Sequence, residues 1–283
     1  MLEEIMSAAG IEAFGVADYR DTQPGPEFKR DQLPPTPRSV IVCLFPYDTG
    51  TTERNVARYA VGMDYHAVAK KHLEIAAEIL RRAFPGEVFV TFVDGSPVAE
   101  VRAAVMAGLG VRGKNNQLIN EKYGTRCAIG DIVTTMRLEK SQRRMGGCLD
   151  CLRCFKACPG HALTEKGFDR TKCVSAISQK KGELTADEAA LVAKTGLCWA
   201  CDRCTDCCPM NHDAGGTGMQ EFKDTAIPFA STGMDMTGRA YAWRGAEVVE
   251  RNLRILENAK TEPHEDPAKR KRSRYDELGG CGA

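Results

Sequence analysis

The sequence has almost no net charge: 39 Lys and Arg residues stand against 38 Asp and Glu, leaving +1 over 283 residues. That balance disfavours both a strongly basic nucleic-acid binder and an acidic disordered chain. No run of 18 apolar residues occurs, so no membrane-spanning helix and no membrane partner are expected. The opening stretch, Met1-Leu2-Glu3-Glu4-Ile5-Met6, is acidic and lacks the basic region of a signal peptide. These absences predict a cytoplasmic protein, with length for one large domain or two modest ones. Cysteine, by contrast, is abundant. Of 13 cysteines, Cys43, Cys127 and Cys281 lie apart, and ten fall between Cys148 and Cys208. Clustered cysteines in such a chain predict metal binding rather than disulfides.

The chain divides by composition. Residues 1–144 read as strands alternating with helices, the pattern of a layered α/β (α+β) domain. Strand candidates are Phe14-Gly15-Val16-Ala17, Val40-Ile41-Val42-Cys43-Leu44-Phe45, Val88-Phe89-Val90-Thr91-Phe92-Val93 and Ala128-Ile129-Gly130-Asp131-Ile132-Val133. A helix is predicted from Asp64, with Leu73, Ala76, Ala77, Leu80 and Phe84 on one face and Pro85-Gly86 as its stop. A second is predicted from Pro97, capped by Ser96, with the stripe Val98, Val101, Val105, Leu109. Residues 145–212 form a cysteine-rich unit with a helix over 184–194, Thr185 its cap and Gly196 its stop. Residues 213–283 are a C-terminal extension: a Gly- and Met-rich loop, a helix over 246–256, and a Pro-, Lys- and Arg-rich end from residue 260 expected to be disordered.

The first cysteine run is Cys148-Leu-Asp-Cys151-Leu-Arg-Cys154-Phe-Lys-Ala-Cys158-Pro159. Three cysteines at intervals of three, followed by x3 and Cys-Pro, form the run of bacterial ferredoxins. A ligand at every third residue lets the loop wrap three corners of one cubane, while the fourth thiolate turns to the other cluster. The second run is Cys201-Asp-Arg-Cys204-Thr-Asp-Cys207-Cys208-Pro209, and a lone Cys173 lies between the runs. Crossed ligation then predicts two [4Fe–4S] clusters, one held by Cys148, Cys151, Cys154 and Cys208, the other by Cys158, Cys173, Cys201 and Cys204. Cys198-x2-Cys201-x2-Cys204-x2-Cys207 is an equally regular ladder, so Cys198 and Cys207 remain alternative ligands. Structural zinc is the competing reading, but it gives no reason for a triple followed by Cys-Pro.

Gly108-Leu-Gly110-Val-Arg-Gly113 matches the dinucleotide-binding glycine pattern. The pattern works when a strand precedes it and a helix follows, so that a pyrophosphate meets the helix N-terminus. Here a helix precedes and a loop follows. The glycines are instead expected to permit a tight turn near a bulky ligand.

Several segments together resemble the epoxyqueuosine reductases, cobalamin-dependent iron–sulfur enzymes related to reductive dehalogenases. They are Arg58-Tyr59-Ala60-Val-Gly62-Met-Asp64-Tyr65-His66, Val93-Asp94-Gly95-Ser96-Pro97-Val98-Ala-Glu100, Ala107-Gly108-Leu109-Gly110-Val-Arg-Gly113-Lys114-Asn115, and the cysteine unit ending Cys208-Pro209-Met-Asn211. The resemblance implies a nitroreductase-like cobalamin-binding domain followed by a bacterial-ferredoxin-like double-cluster domain. It implies that electrons pass from the clusters to cobalamin to reduce an epoxide in modified tRNA, with Asp94 as proton donor. It also implies that Arg58, Tyr65, His66, Lys114 and Asn115 bind the cofactor. Asp94, at a strand end and partly desolvated against a corrin, is expected to have a raised pKa and stay protonated. On the bland readings Asp94 caps a turn, His66 caps a helix and Lys114 is solvated. The chain departs from the family at Val101, Val111 and Arg112, and the residues after Asn211 leave no room for the helical-repeat domain that tRNA-acting members often carry. The run Lys269-Arg270-Lys271-Arg272-Ser273-Arg274 is the only basic feature there and reads as a solvated tail. A small-molecule reductase and a non-catalytic electron-transfer protein without cobalamin are therefore kept as alternatives. The electron donor would be a reductase, flavodoxin or ferredoxin.

Overall fold

The computed structural model describes residues 1–27, 29–142 and 147–261. The expected boundary at 144/145, nearly all of the expected disordered end, the basic run 269–274 and Cys281 lie outside the described residues. Helix α1 (Leu2–Ala8) leads into strands β1 (Ala13–Asp18) and β2 (Ser39–Pro46), then helix α2 (Tyr65–Ala83) and strand β3 (Phe89–Val93). Helix α3 (Glu100–Met106), a small hairpin of β4 (Val111–Arg112) and β5 (Leu118–Ile119), and strand β6 (Cys127–Thr134) complete the first unit. The main sheet runs β1-β2-β6-β3 with every pair antiparallel, which makes the layering α+β. All eight positions of β2 are buried, because both faces are covered. Ile41, Cys43 and Phe45 meet Leu73, Ala76 and Leu80 of α2. Val40, Val42 and Leu44 meet Ala103 and Ala104 of α3. Two-sided burial is why this strand reads as an unbroken apolar run.

Local chemistry sets the ends. Asp64 caps α2 by accepting from the His66 amide. The helix expected from Pro97 begins three residues later, at Glu100, with Ala99 as its cap residue. Ser96 does not cap it. Its hydroxyl accepts from the Val98 amide at 3.1 Å and holds residues 94–98 as a turn. The glycine pattern at 108–113 follows α3 and runs into β4. At Gly108 (φ +77°) a Cβ would lie 2.1 Å from the Gln142 carbonyl oxygen, and at Gly110 (φ +153°) 2.2 Å from that of Ile119. Close protein backbone, not a bulky ligand, requires glycine at both positions.

The second unit contains α4 (Arg153–Ala157), a hairpin of β7 (Leu163–Thr164) and β8 (Gly167–Phe168), α5 (Val174–Ser178), α6 (Ala186–Thr195) and α7 (Arg203–Asp206). Thr185 and Glu188 form a capping box on α6, and Gly196 ends it in the left-handed conformation. The segment that follows, with α8 (Gln220–Asp224) and α9 (Ala246–Thr261), is packed rather than loose. Tyr241, Val248 and Val249 share an apolar cluster with Val56 and Ala57 of the first unit and Trp199 of the second. Arg251 and Asn252 of α9 donate to the carbonyls of Lys180, Ser178 and Cys198.

Charges also join the units. Arg54 Nη2 lies 2.9 Å from Asp202 and 2.7 Å from Asp206. Arg58 bonds Asp206 at 2.8 Å and reaches Asp48, which also pairs with Arg126. Arg54 and Asp202 are both buried, and removing one partner leaves the other charge uncompensated. Arg54→Met is expected to destabilise the fold by roughly 3–5 kcal/mol, read as a lower unfolding temperature of the cluster-loaded protein. An unchanged temperature would mean that the pair does not hold the units together.

Candidate active site and cysteine cavities

Two cavities divide the cysteines. One, of about 270 Å³, is lined by Cys158, Cys173, Cys201 and Cys204 together with Tyr47, Tyr59 and Asn115. The second is small and is lined by Cys148, Cys151, Cys154 and Cys208 with Ile119 and Asn115. Short helices place them: α4 carries Cys154 between Cys151 and Cys158, and α7 carries Cys204 between Cys201 and Cys208. Burial pushes the Cys201 thiol up to about 12 and raises Cys154 and Cys208 as well. Such thiols stay neutral without a metal to take the thiolate. Cys198 lines neither cavity. It is fully buried in the apolar cluster with Trp199, and its carbonyl accepts from Asn252 at 2.7 Å. Cys207 also lines neither, and its sulfur lies 3.6 Å from the Cys204 carbonyl. Cys43 is buried and Cys127 partly so, both in strands.

A third cavity, of about 1050 Å³, opens between the units. Its walls include Tyr59, Tyr65, His66, Val93, Asp94 and Gly95 from the first unit, Arg170 and Gln179 from the second, and Trp243 from the following segment. That volume lies at the upper end of ordinary ligand sites, and flat aromatic walls with polar groups between them suit a large planar cofactor. Tyr59 lines both this cavity and the 270 Å³ cysteine cavity.

Asp94 follows β3 in the left-handed conformation (φ +49°). The Tyr65 hydroxyl donates to its Oδ2 at 2.8 Å, His66 Nε2 stands 3.4 Å from the same oxygen, and the Gly95 amide donates to Oδ1. His66 Nδ1 meets Asp64 at 2.7 Å. The imidazole is thus held between two carboxylates, and its pKa is raised to about 9, first by Asp64 and then by Asp94. The expected rise in the Asp94 pKa belongs to a carboxyl desolvated against a corrin; the protein's own groups act in the other direction. The His66 contact, outweighing partial burial and aided by Tyr65, lowers its pKa to about 2. The protein's own groups thus favour the proton on His66 and Tyr65 over Asp94.

The remaining expected residues are placed differently. Arg58 is engaged by Asp206 and Asp48 and does not line the Asp94 cavity. Asn115 is buried and lines both cysteine cavities, its amide 3.4 Å from the Cys204 carbonyl. Lys114 is half-exposed, 3.5 Å from Asp150 beside Cys148. Sequence reasoning missed Tyr59, Arg170 and Trp243 as cavity walls. Only Tyr59 had a signal, within Arg58-Tyr59-Ala60.

Two family models match the chain: Epoxyqueuosine reductase QueG, DUF1730 over residues 29–95, and the 4Fe-4S double cluster binding domain over residues 147–211. An epoxyqueuosine reductase of Gloeobacter violaceus is 38% identical over 188 residues, covering 64% of this chain and 58% of the relative. One from Synechocystis is 33% identical over 188 residues, covering 64% and 65%. The chain thus spans about three fifths of the length of these curated relatives. Among solved structures, epoxyqueuosine reductase from Streptococcus thermophilus matches with TM-score 0.78 at 20% identity, over 98% of this chain and 85% of that one. An epoxyqueuosine reductase with a tRNA-Tyr epoxyqueuosine-modified stem loop matches with TM-score 0.79 at 20% identity, over 90% and 79%. A reductive dehalogenase described as B12-dependent matches with TM-score 0.53 at 18% identity, over 92% and 35%. These structural likenesses show a shared fold.

Proposed function

We infer that this epoxyqueuosine-reductase-like chain is an iron–sulfur oxidoreductase that reduces an epoxide in a modified tRNA nucleoside. In this reading electrons pass from two [4Fe–4S] clusters to cobalamin, and Asp94 delivers a proton. The observation that carries it is the order of the cavities. The Cys148 set shares Asn115 with the Cys158 set, and the Cys158 set shares Tyr59 with the cavity of Asp94. Clusters at both cysteine sets would relay electrons one at a time toward that cavity. Cys151 and the neighbouring Leu149 are exposed, which suits entry of electrons from a donor protein at the outer set.

Tyr59, Tyr65, His66 and Gly95 would hold the corrin, with Arg170 and Gln179 toward its polar edge. Cobalamin, when bound, supplies the low-potential metal that opens the epoxide. The residues manage the proton. Opening the C–O bond leaves charge on oxygen, which a positioned acid must neutralise. With the half-exposed Asp94 covered by bound cofactor and substrate, its pKa would rise and Oδ2 would take the proton from His66 Nε2; Asp64 keeps the imidazole oriented. Trp243, exposed at the cavity wall with Arg244 stacked 3.8 Å from its ring, offers a surface on which a splayed nucleobase can stack. A cytoplasmic setting, where tRNA is found, goes with that substrate.

Anaerobic purification with cobalamin supplied is expected to yield about eight iron atoms and a cobalt per chain. Reduction of an epoxide-bearing anticodon stem loop should weaken with salt as phosphate contacts are lost. Iron without cobalt would favour an electron carrier. Cobalt with no salt-dependent RNA binding would favour a small-molecule substrate.

A further inference from the structure

Behind the Asp94 turn lie two carboxyl groups that the proposed reaction does not use. Asp131 sits on β6 opposite Phe92, one position from the Gly130–Val93 pair that leads into Asp94. It is fully buried, and beyond the nearby Ser96 hydroxyl neither of its carboxyl oxygens has a hydrogen-bond partner. On α3, which packs on β6, Glu100 is a partly buried residue whose Oε1 is buried and unpartnered. The Ser96 amide, inside the Asp94 turn, lies against the Glu100 carboxyl. Both acids are held well above the ordinary carboxylate range. For Glu100, burial dominates, then the charges of Asp131 and Asp94, against the Ser96 amide and His66. For Asp131, burial acts against the nearby Ser96 hydroxyl. Cys43, on β2, feels Asp131 and stays a neutral thiol. Two carboxylates cannot both ionise in such a site.

We propose that Glu100 and Asp131 form a buried, proton-holding carboxyl pair that seats the Asp94 turn, with Glu100 as a positioning residue for Asp94. The proposal rests on Asp94 acting in proton delivery. A neutral Glu100 lets the turn that carries the Ser96 amide rest against its carboxyl. An ionised Glu100 repels the Asp94 carboxylate and competes with it for the charge on His66.

Infrared difference spectra of the cofactor-loaded protein, with ¹³C-labelled Glu or Asp supplied separately, test the pair. Near pH 6, where ordinary carboxyls are ionised, protonated-carboxyl bands are expected that shift with each label. Glu100→Gln should remove the Glu band. Glu100→Ala should lower kcat about tenfold or more with iron and cobalamin retained, and Glu100→Gln, permanently neutral, should restore most of it. Absence of protonated-carboxyl bands in the wild type overturns the pair. A Gln variant as impaired as Ala overturns the positioning role. Full turnover in Asp94→Asn would remove the proton-delivery reading and the positioning role with it, while the infrared bands still decide the pair.

Discussion

Asp94→Asn is expected to lower turnover by about 10²- to 10⁴-fold, the usual contribution of a positioned general acid, with iron and cobalamin contents unchanged. Asparagine keeps the hydrogen bond from Tyr65 but cannot accept and pass on a proton. The pH behaviour separates this from simple misplacement. His66 titrates at about 9 because Asp64 and Asp94 both stabilise its charge. Its folded pKa lies above the unfolded value, so the stabilisation is complete below 6.5 and is lost as pH rises through about 9. Asp94, depressed to about 2, gives a stabilisation present above 3.8 and lost as pH falls through 2. Removing the Asp94 charge should therefore move the His66 titration down toward its ordinary value. Imidazole proton resonances read that shift directly. Full turnover, or an unmoved His66, would sink the assignment.

What the sequence made legible depends on how local each feature is. The helix of residues 65–83 was readable because its buried face repeats at helical spacing and Asp64 and Pro85 punctuate it. Strand positions were readable, but their antiparallel order was not, since alternation with helices does not fix direction. The two cysteine runs were legible from spacing, while the cavities that group Cys148, Cys151 and Cys154 with Cys208 need the fold. Asp94 was visible as a motif residue, but the groups that set its protonation were not: Tyr65 and His66 lie 29 and 28 residues earlier, and only the fold brings them to one oxygen. Glu100 stood in the same motif with nothing to mark its carboxyl as partly buried and within electrostatic reach of Asp131. Residues 217–256 read as loop and one helix because Phe222 and Tyr241 are buried without periodicity. Arg58 illustrates the opposite failure. Its motif suggested the cofactor, while its guanidinium is engaged by carboxylates between the units.

The largest effect expected outside the Asp94 site comes from the inner cysteine set. Cys204→Ala should reduce iron from about eight to about four atoms per chain and abolish reduction by one-electron donors, because the Cys158 set lies between the outer set and the Asp94 cavity. Cys151→Ala should also halve the iron, but it leaves the cluster beside Tyr59 in place. A small artificial reductant able to reach that cluster should then restore part of the turnover, which Cys204→Ala cannot recover. The ladder Cys198-Cys201-Cys204-Cys207 supplies the controls. Cys207→Ala is expected to keep all the iron, since its sulfur faces the Cys204 carbonyl and lines neither cavity. Cys198→Ala should keep the iron too and behave as a core truncation beside Trp199, costing about 1 kcal/mol. Iron loss in Cys207→Ala with none in Cys208→Ala would shift the register by one residue and return Cys208 to a structural role.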